Sequence, residues 1–173
     1  MIIGSSSARV TVLILHDLPE GTEKSEGCIH PLTLEWRELI NKIGGNNWRK
    51  IFNTYAKLCH LLGLDHKSLE TWQDYRDNYL LGSEGAFQLL CFGNKDELRK
   101  QADLLSEEVL VLITGKKCAE AIGVSERLHW LDQSFAQVIG RNWLVCPYFD
   151  YRQLSNIKIA QLVELIHERI SSE

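Results

Sequence analysis

No uninterrupted apolar run in this chain is long enough to cross a bilayer, so a membrane-spanning role is not expected. Residues 1–9 lack a basic stretch followed by a long apolar one. No secretory signal is therefore expected, and the cytoplasm is the default compartment. Cys-x-x-Cys pairs, His-Glu-x-x-His and clustered His/Cys spacings are also missing, so neither a metal nor a cofactor is expected. Cys28, Cys59, Cys91, Cys118 and Cys146 are odd in number and widely spaced, which reads as free thiols. Broad positive charge is absent too: 19 Lys and Arg against 23 Asp and Glu give a net charge of −4. That balance disfavours a generally basic nucleic-acid binder but leaves room for a local patch.

With 45% hydrophobic and 24% charged residues, the chain has the composition of a soluble globular protein. Its length fits a single α/β domain over residues 1–173, without internal repeats or low-complexity tracts. Arg9 to Leu15 is a β-branched apolar run ending at the turn-rich His16-Asp17-Leu18-Pro19-Glu20-Gly21, and reads as strand then loop. Residues 21–30 read as an exposed loop. Leu32, Leu34, Trp36, Leu39, Ile40 and Ile43 form one helical face, stopped by Gly44-Gly45. Asn46 or Asn47 then caps a second helix bearing Trp48, Ile51, Phe52, Tyr55, Leu58, Cys59 and Leu62, which Gly63 ends. A third helix is expected over Ser68 to Leu81.

Ala86 to Phe92 reads as a strand and Lys95 to Leu105 as a charged helix. Val109 to Thr114 is almost wholly apolar, the mark of a parallel strand buried on both faces. Short helices are expected from Gly115 to Ile122 and from Glu126 to Ile139, then a strand over Trp143 to Cys146 and a closing helix over Ser155 to Ile170. Four strands separated by helices imply a three-layer α/β/α sandwich with a mainly parallel four-stranded sheet.

In such sheets ligands bind beyond the carboxyl ends of the strands. The loop after Cys146 combines Tyr148, Phe149 and Tyr151, which suit a planar ring, with Asp150, Arg152 and Asn156, which can hydrogen-bond one. The same aromatics can equally plug the sheet edge while Asp150 or Ser155 caps the last helix. His16 and Asp17 follow the first strand: Asp17 can orient water with His16 as proton partner, or simply stabilise a turn. Lys116 and Lys117 suit a phosphate or a solvated helix start, although the surrounding residues do not form a Walker A loop. Asn47, within Asn46-Asn47-Trp48-Arg49-Lys50, can contact a base or phosphate, or belong to an ordinary capped helix.

Several of these pieces, in order, resemble the mismatch-specific branch of the uracil-DNA glycosylase superfamily. The strand and Pro-containing loop from Val12 to Gly21, the Asn-and-Trp helix from Asn46 to Phe52, the strand and Gly-Lys turn from Leu110 to Ala119, and Val145-Cys146-Pro147 with Leu154-Ser155-Asn156 carry the likeness. Leu18 separates Asp17 from Pro19, and Cys146 stands where that superfamily has His or Asn. The chain is also similar to a group of bacterial proteins of unassigned activity sharing Trp48 to Phe52 and Cys146 to Ser155. The resemblance implies a glycosylase-like fold that binds a nucleobase or DNA and hydrolyses an N-glycosidic bond, a DNA-repair activity. Asp17 would orient water, Tyr148 or Tyr151 would stack on the base, and Lys116 and Lys117 would approach phosphate. The competing expectation is a non-catalytic module in which the aromatic loop recognises a small molecule or a protein.

Overall fold

A computed structural model describes residues 1–65 and 69–170 of the chain. Its strands are β1 (Ile2–Gly4), β2 (Val10–Ile14), β3 (Ile29–His30), β4 (Phe87–Cys91), β5 (Leu110–Thr114), β6 (Leu128–Trp130), β7 (Ala136–Val138) and β8 (Trp143–Cys146). The helices are α1 (Leu34–Leu62), α2 (Trp72–Asn78), α3 (Lys95–Asp103), α4 (Lys116–Ala121) and α5 (Asn156–Ile170). Among the described residues all strands join one sheet in the order β3-β1-β4-β2-β5-β8-β7-β6.

The four apolar runs form its centre. There β4, β2, β5 and β8 lie parallel, with Val12 opposite both Leu89 and Leu112, and Ile113 opposite Val145. The sheet nevertheless has eight strands rather than four. One edge gains β1, antiparallel to β4, and then β3; the other gains the antiparallel pair β7 and β6. These added strands have only two or three residues each, too few to show a period of two in the sequence.

The central strands are buried on both faces because successive side chains enter different cores. Val12, Ile14, Leu89, Leu112 and Leu144 pack with Ile51, Phe52 and Tyr55 of α1 and with Ile159, Leu162 and Ile166 of α5. Leu13, Leu90, Val111, Ile113 and Val145 pack with Leu98 and Ala102 of α3 and with Cys118 and Ala119 of α4. Helices thus cover both faces of a mixed, mostly parallel sheet. Each fully buried Leu or Ile in these layers contributes on the order of 1.5–3 kcal/mol relative to exposure.

Thr33 starts α1, its hydroxyl accepting from the Trp36 N–H at 3.2 Å. The break expected at Gly44-Gly45 is real. Gly45 has φ 65° and ψ −148°, a conformation that favours glycine and divides α1 into two helical segments. Gly44 is required for a different reason: a Cβ there would lie 2.5 Å from Pro19 Cγ and 2.6 Å from Trp48 Cδ1. The break therefore packs directly under the loop that follows β2.

Other expectations need correction. In the first segment of α1, Trp36 and Ile40 are buried but Leu34, Leu39 and Ile43 are exposed, because only a narrow stripe of that segment reaches the core. The third helix is confined to Trp72–Asn78, within the expected Ser68 to Leu81; Ser68 itself lies outside the described residues. The loop over residues 21–30 contributes β3. The largest difference falls over Glu126 to Ile139, which is a 3-10 turn at Ser125–Arg127 followed by the β6–β7 hairpin rather than a helix. Asp132 sets the turn, its carboxylate accepting from the N–H groups of Ser134 (2.6 Å) and Phe135 (2.8 Å).

Candidate functional site

The carboxyl ends of β2, β4, β5 and β8 share one edge of the sheet, where their following loops meet the break in α1. This edge holds two cavities of opposite character. The first, about 720 Å³, lies beyond β5 and β8 and includes Lys116, Lys117, Trp130, Tyr148, Arg152 and Lys158 in its lining. Gln133, Ser134, Gln153 and the buried Cys146 complete much of its wall, and among the described residues no Asp or Glu takes part. The second, about 1130 Å³, opens beside β4 and β1 and carries Asp17, Glu20, Glu23, Glu26, Asp96 and Glu97.

Asp17 and Lys116, expected in one crevice, therefore line different cavities. The Asp17 carboxylate accepts from the Gly93 N–H at 2.7 Å, which clasps the loops after β2 and β4 together. His16 faces the other way. It is half-buried, stacks on Trp48 with ring centres 5.6 Å apart, and its Nε2 lies 3.0 Å from Nδ2 of Asn47. The same Asn47 nitrogen donates to the Tyr148 hydroxyl at 3.4 Å. His16, Asn47 and Tyr148 thus form a polar chain from the β2 loop to the wall of the basic cleft. Burial pushes the Tyr148 hydroxyl upward in pKa, keeping it a protonated donor and acceptor.

The aromatic loop after β8 is divided in its use. Phe149 is fully buried edge-to-face against Tyr55, with centroids 5.4 Å apart, and serves as a plug. Tyr151 is 54% exposed, flanked by the Lys50 ammonium at 5.4 Å and the Arg152 guanidinium at 5.7 Å from its ring centre. Asp150 braces the loop by accepting from the Arg152 backbone N–H (2.9 Å) and Lys50 Nζ (3.0 Å). The backbone donor above all, then Lys50, holds its carboxyl below the ordinary value. Asn156 lies away from the basic cleft, accepting from Lys57 Nζ at 3.3 Å beside a small pocket that includes Trp72.

Lys116 lies 4.9 Å above the centre of the Trp130 ring, which is 38% exposed on the far wall. Trp130, Gln133 and Lys158 were not legible as site residues because the first two sit on the hairpin read as helix. The polar Asp132-Gln133-Ser134 group between two short apolar runs was the available hairpin signal. Cys146 is sealed beneath the cleft, and burial raises its thiol far from the thiolate form a nucleophile needs. Among the described residues, no three His, Cys, Asp or Glu side chains are grouped to hold a metal ion. No described helix is long and apolar enough to cross a membrane.

A family model described as "Family of unknown function (DUF6942)" matches residues 1–167. The chain belongs to that family. No curated protein and no solved structure matches the chain. Membership in DUF6942 brings no activity with it, so any functional reading rests on the cleft.

Proposed function

We propose that this chain binds an anionic ligand carrying a nucleobase, either a nucleotide or nucleic acid, in the cleft beyond β5 and β8. One observation carries the reading: Lys116, Lys117, Arg152 and Lys158 line a cleft that has no carboxylate among the described residues, on a protein of net charge −4. Among the described residues none of the four is in an ion pair, so their charge is available to a ligand. Trp130 and Tyr148 add ring surfaces suited to a planar group. Titration of tryptophan fluorescence with nucleotides and short oligonucleotides tests this. Salt-sensitive quenching that weakens in Lys116→Ala/Lys117→Ala is the expected result; no saturable response to any of these ligands would sink the proposal.

A second reading adds hydrolysis of the bound N-glycosidic bond, the activity implied by the glycosylase resemblance. His16 favours it, through its link to Tyr148 by way of Asn47. Asp17 would have to leave the Gly93 N–H to orient water there. Without hydrolysis, the same cleft is that of a binding module anchored by the Phe149 plug. Excision from uracil- and mismatch-containing oligonucleotides, compared with His16→Ala, separates these readings. Product formation that falls sharply in the variant supports hydrolysis, whereas no product from the parent chain leaves binding alone.

A further inference from the structure

We infer that the ligand is a single nucleoside phosphate rather than a nucleic-acid strand, an inference that rests on the nucleobase reading above. The cationic cleft is open but of limited size. Its volume of about 720 Å³ falls inside the range of roughly 300–1000 Å³ typical of sites that enclose one small molecule. The neighbouring cavity on the same sheet edge presents Asp17, Glu20, Glu23, Glu26, Asp96 and Glu97 against Lys24 and Lys100. A strand leaving the cleft along this edge would carry its backbone charges toward those carboxylates. Close to the surface, that repulsion acts within a screening length of about 8 Å at physiological salt. A mononucleotide can keep its charge within the cationic cleft and avoid that opposition.

The walls divide naturally between the two parts of such a ligand. The Lys116 ammonium lies over the Trp130 face, where a base can displace it and free that charge toward phosphate. Gln133 borders the same cavity and brings an amide that both donates and accepts, as the edge of a base requires. Lys117, Arg152 and Lys158, in no ion pair among the described residues, supply the phosphate end.

Isothermal titration of the full chain decides this, using the four common nucleoside monophosphates, their nucleosides, inorganic phosphate and a single-stranded dodecanucleotide. At least one monophosphate should bind about tenfold or more tightly than both its nucleoside and inorganic phosphate, and no more weakly per site than the oligonucleotide. Trp130→Ala should erase the preference for nucleotide over inorganic phosphate while phosphate still binds. Lys117→Ala/Lys158→Ala should weaken every phosphate-bearing probe, with folding of both variants checked by circular dichroism. An oligonucleotide that binds about tenfold or more tightly than every mononucleotide overturns the inference but keeps the nucleobase reading. Inorganic phosphate equal to the best nucleotide overturns both, as does the absence of binding by every probe.

Discussion

The side-chain amide of Asn47 donates to Nε2 of His16 at 3.0 Å, joining the restart of α1 to the loop after β2. Because the amide nitrogen only donates, Nε2 of His16 is the acceptor in this contact. Asn47→Ala and His16→Ala should therefore be coupled. A double-mutant cycle read by urea unfolding should give an interaction of about 0.5–1.5 kcal/mol. Strict additivity would show that the contact does not contribute to stability.

Gly44→Ala should destabilise the fold by about 1–3 kcal/mol, since the new methyl must displace Pro19 or the Trp48 ring. Gly45→Ala should also destabilise it, through backbone strain at φ 65° rather than crowding. The two are distinguishable: adding Pro19→Ala should recover part of the Gly44→Ala loss and none of the Gly45→Ala loss. Unfolding midpoints in urea at unchanged m-value provide the comparison.

Asp150 is held below the ordinary carboxylate pKa by the Arg152 backbone N–H and then by Lys50, and Asp77 by Arg76 and then by Arg37. A depressed folded-state pKa contributes stability above the unfolded value of about 4 and loses it as pH falls through the folded value. Melting temperature should therefore drop on acidification below about pH 4. Asp150→Asn should make that drop shallower while lowering stability at neutral pH. A curve that remains parallel to the parent's would remove Asp150 from the acid response.

A thiol reagent applied to the folded chain should label one cysteine quickly. Cys28 is exposed, whereas Cys59, Cys91, Cys118 and Cys146 are buried. Burial pushes Cys91 and Cys118 each up to about 12 and raises the other two as well. Four further thiols should appear on unfolding, and Cys28→Ser should abolish the fast phase. Rapid labelling of Cys146 would contradict its burial beneath the cleft.

Phe149 and Tyr151 should separate cleanly on truncation. Phe149→Ala empties a fully buried site against Tyr55 and should cost about 3–5 kcal/mol. Tyr151→Ala removes a mostly exposed ring and should change stability by no more than about 0.5 kcal/mol. Thermal unfolding of the two variants measures the difference.

The central sheet was legible because strands buried on both faces have a composition of their own. Trp143–Cys146 matches its apolar run residue for residue, and Gly44-Gly45 marks the helix break. The edge strands were not, since three residues at Leu128–Trp130 or Ala136–Val138 carry almost no period, and Asp132 makes its turn with its own neighbours. The site was half legible for a related reason. Lys116, Lys117, Tyr148 and Arg152 follow strand ends and meet in one cleft. Asp17 also follows a strand end but faces another cavity, a choice made by spatial strand order and the bond to Gly93. Neither is a local property of the residues around it.

Along β2 the side chains of Val12 and Ile14 enter one core and that of Leu13 the other. Gaining or losing one residue inside this strand would trade the contents of the two cores, giving the α1 side what fits the α3 side and the reverse. Length variation among members of the family should accordingly fall in the segments after strand ends, such as residues 15–28 and 147–155. The loops that shape both cavities are then the places where this fold is free to vary, while the strands behind them keep a fixed count.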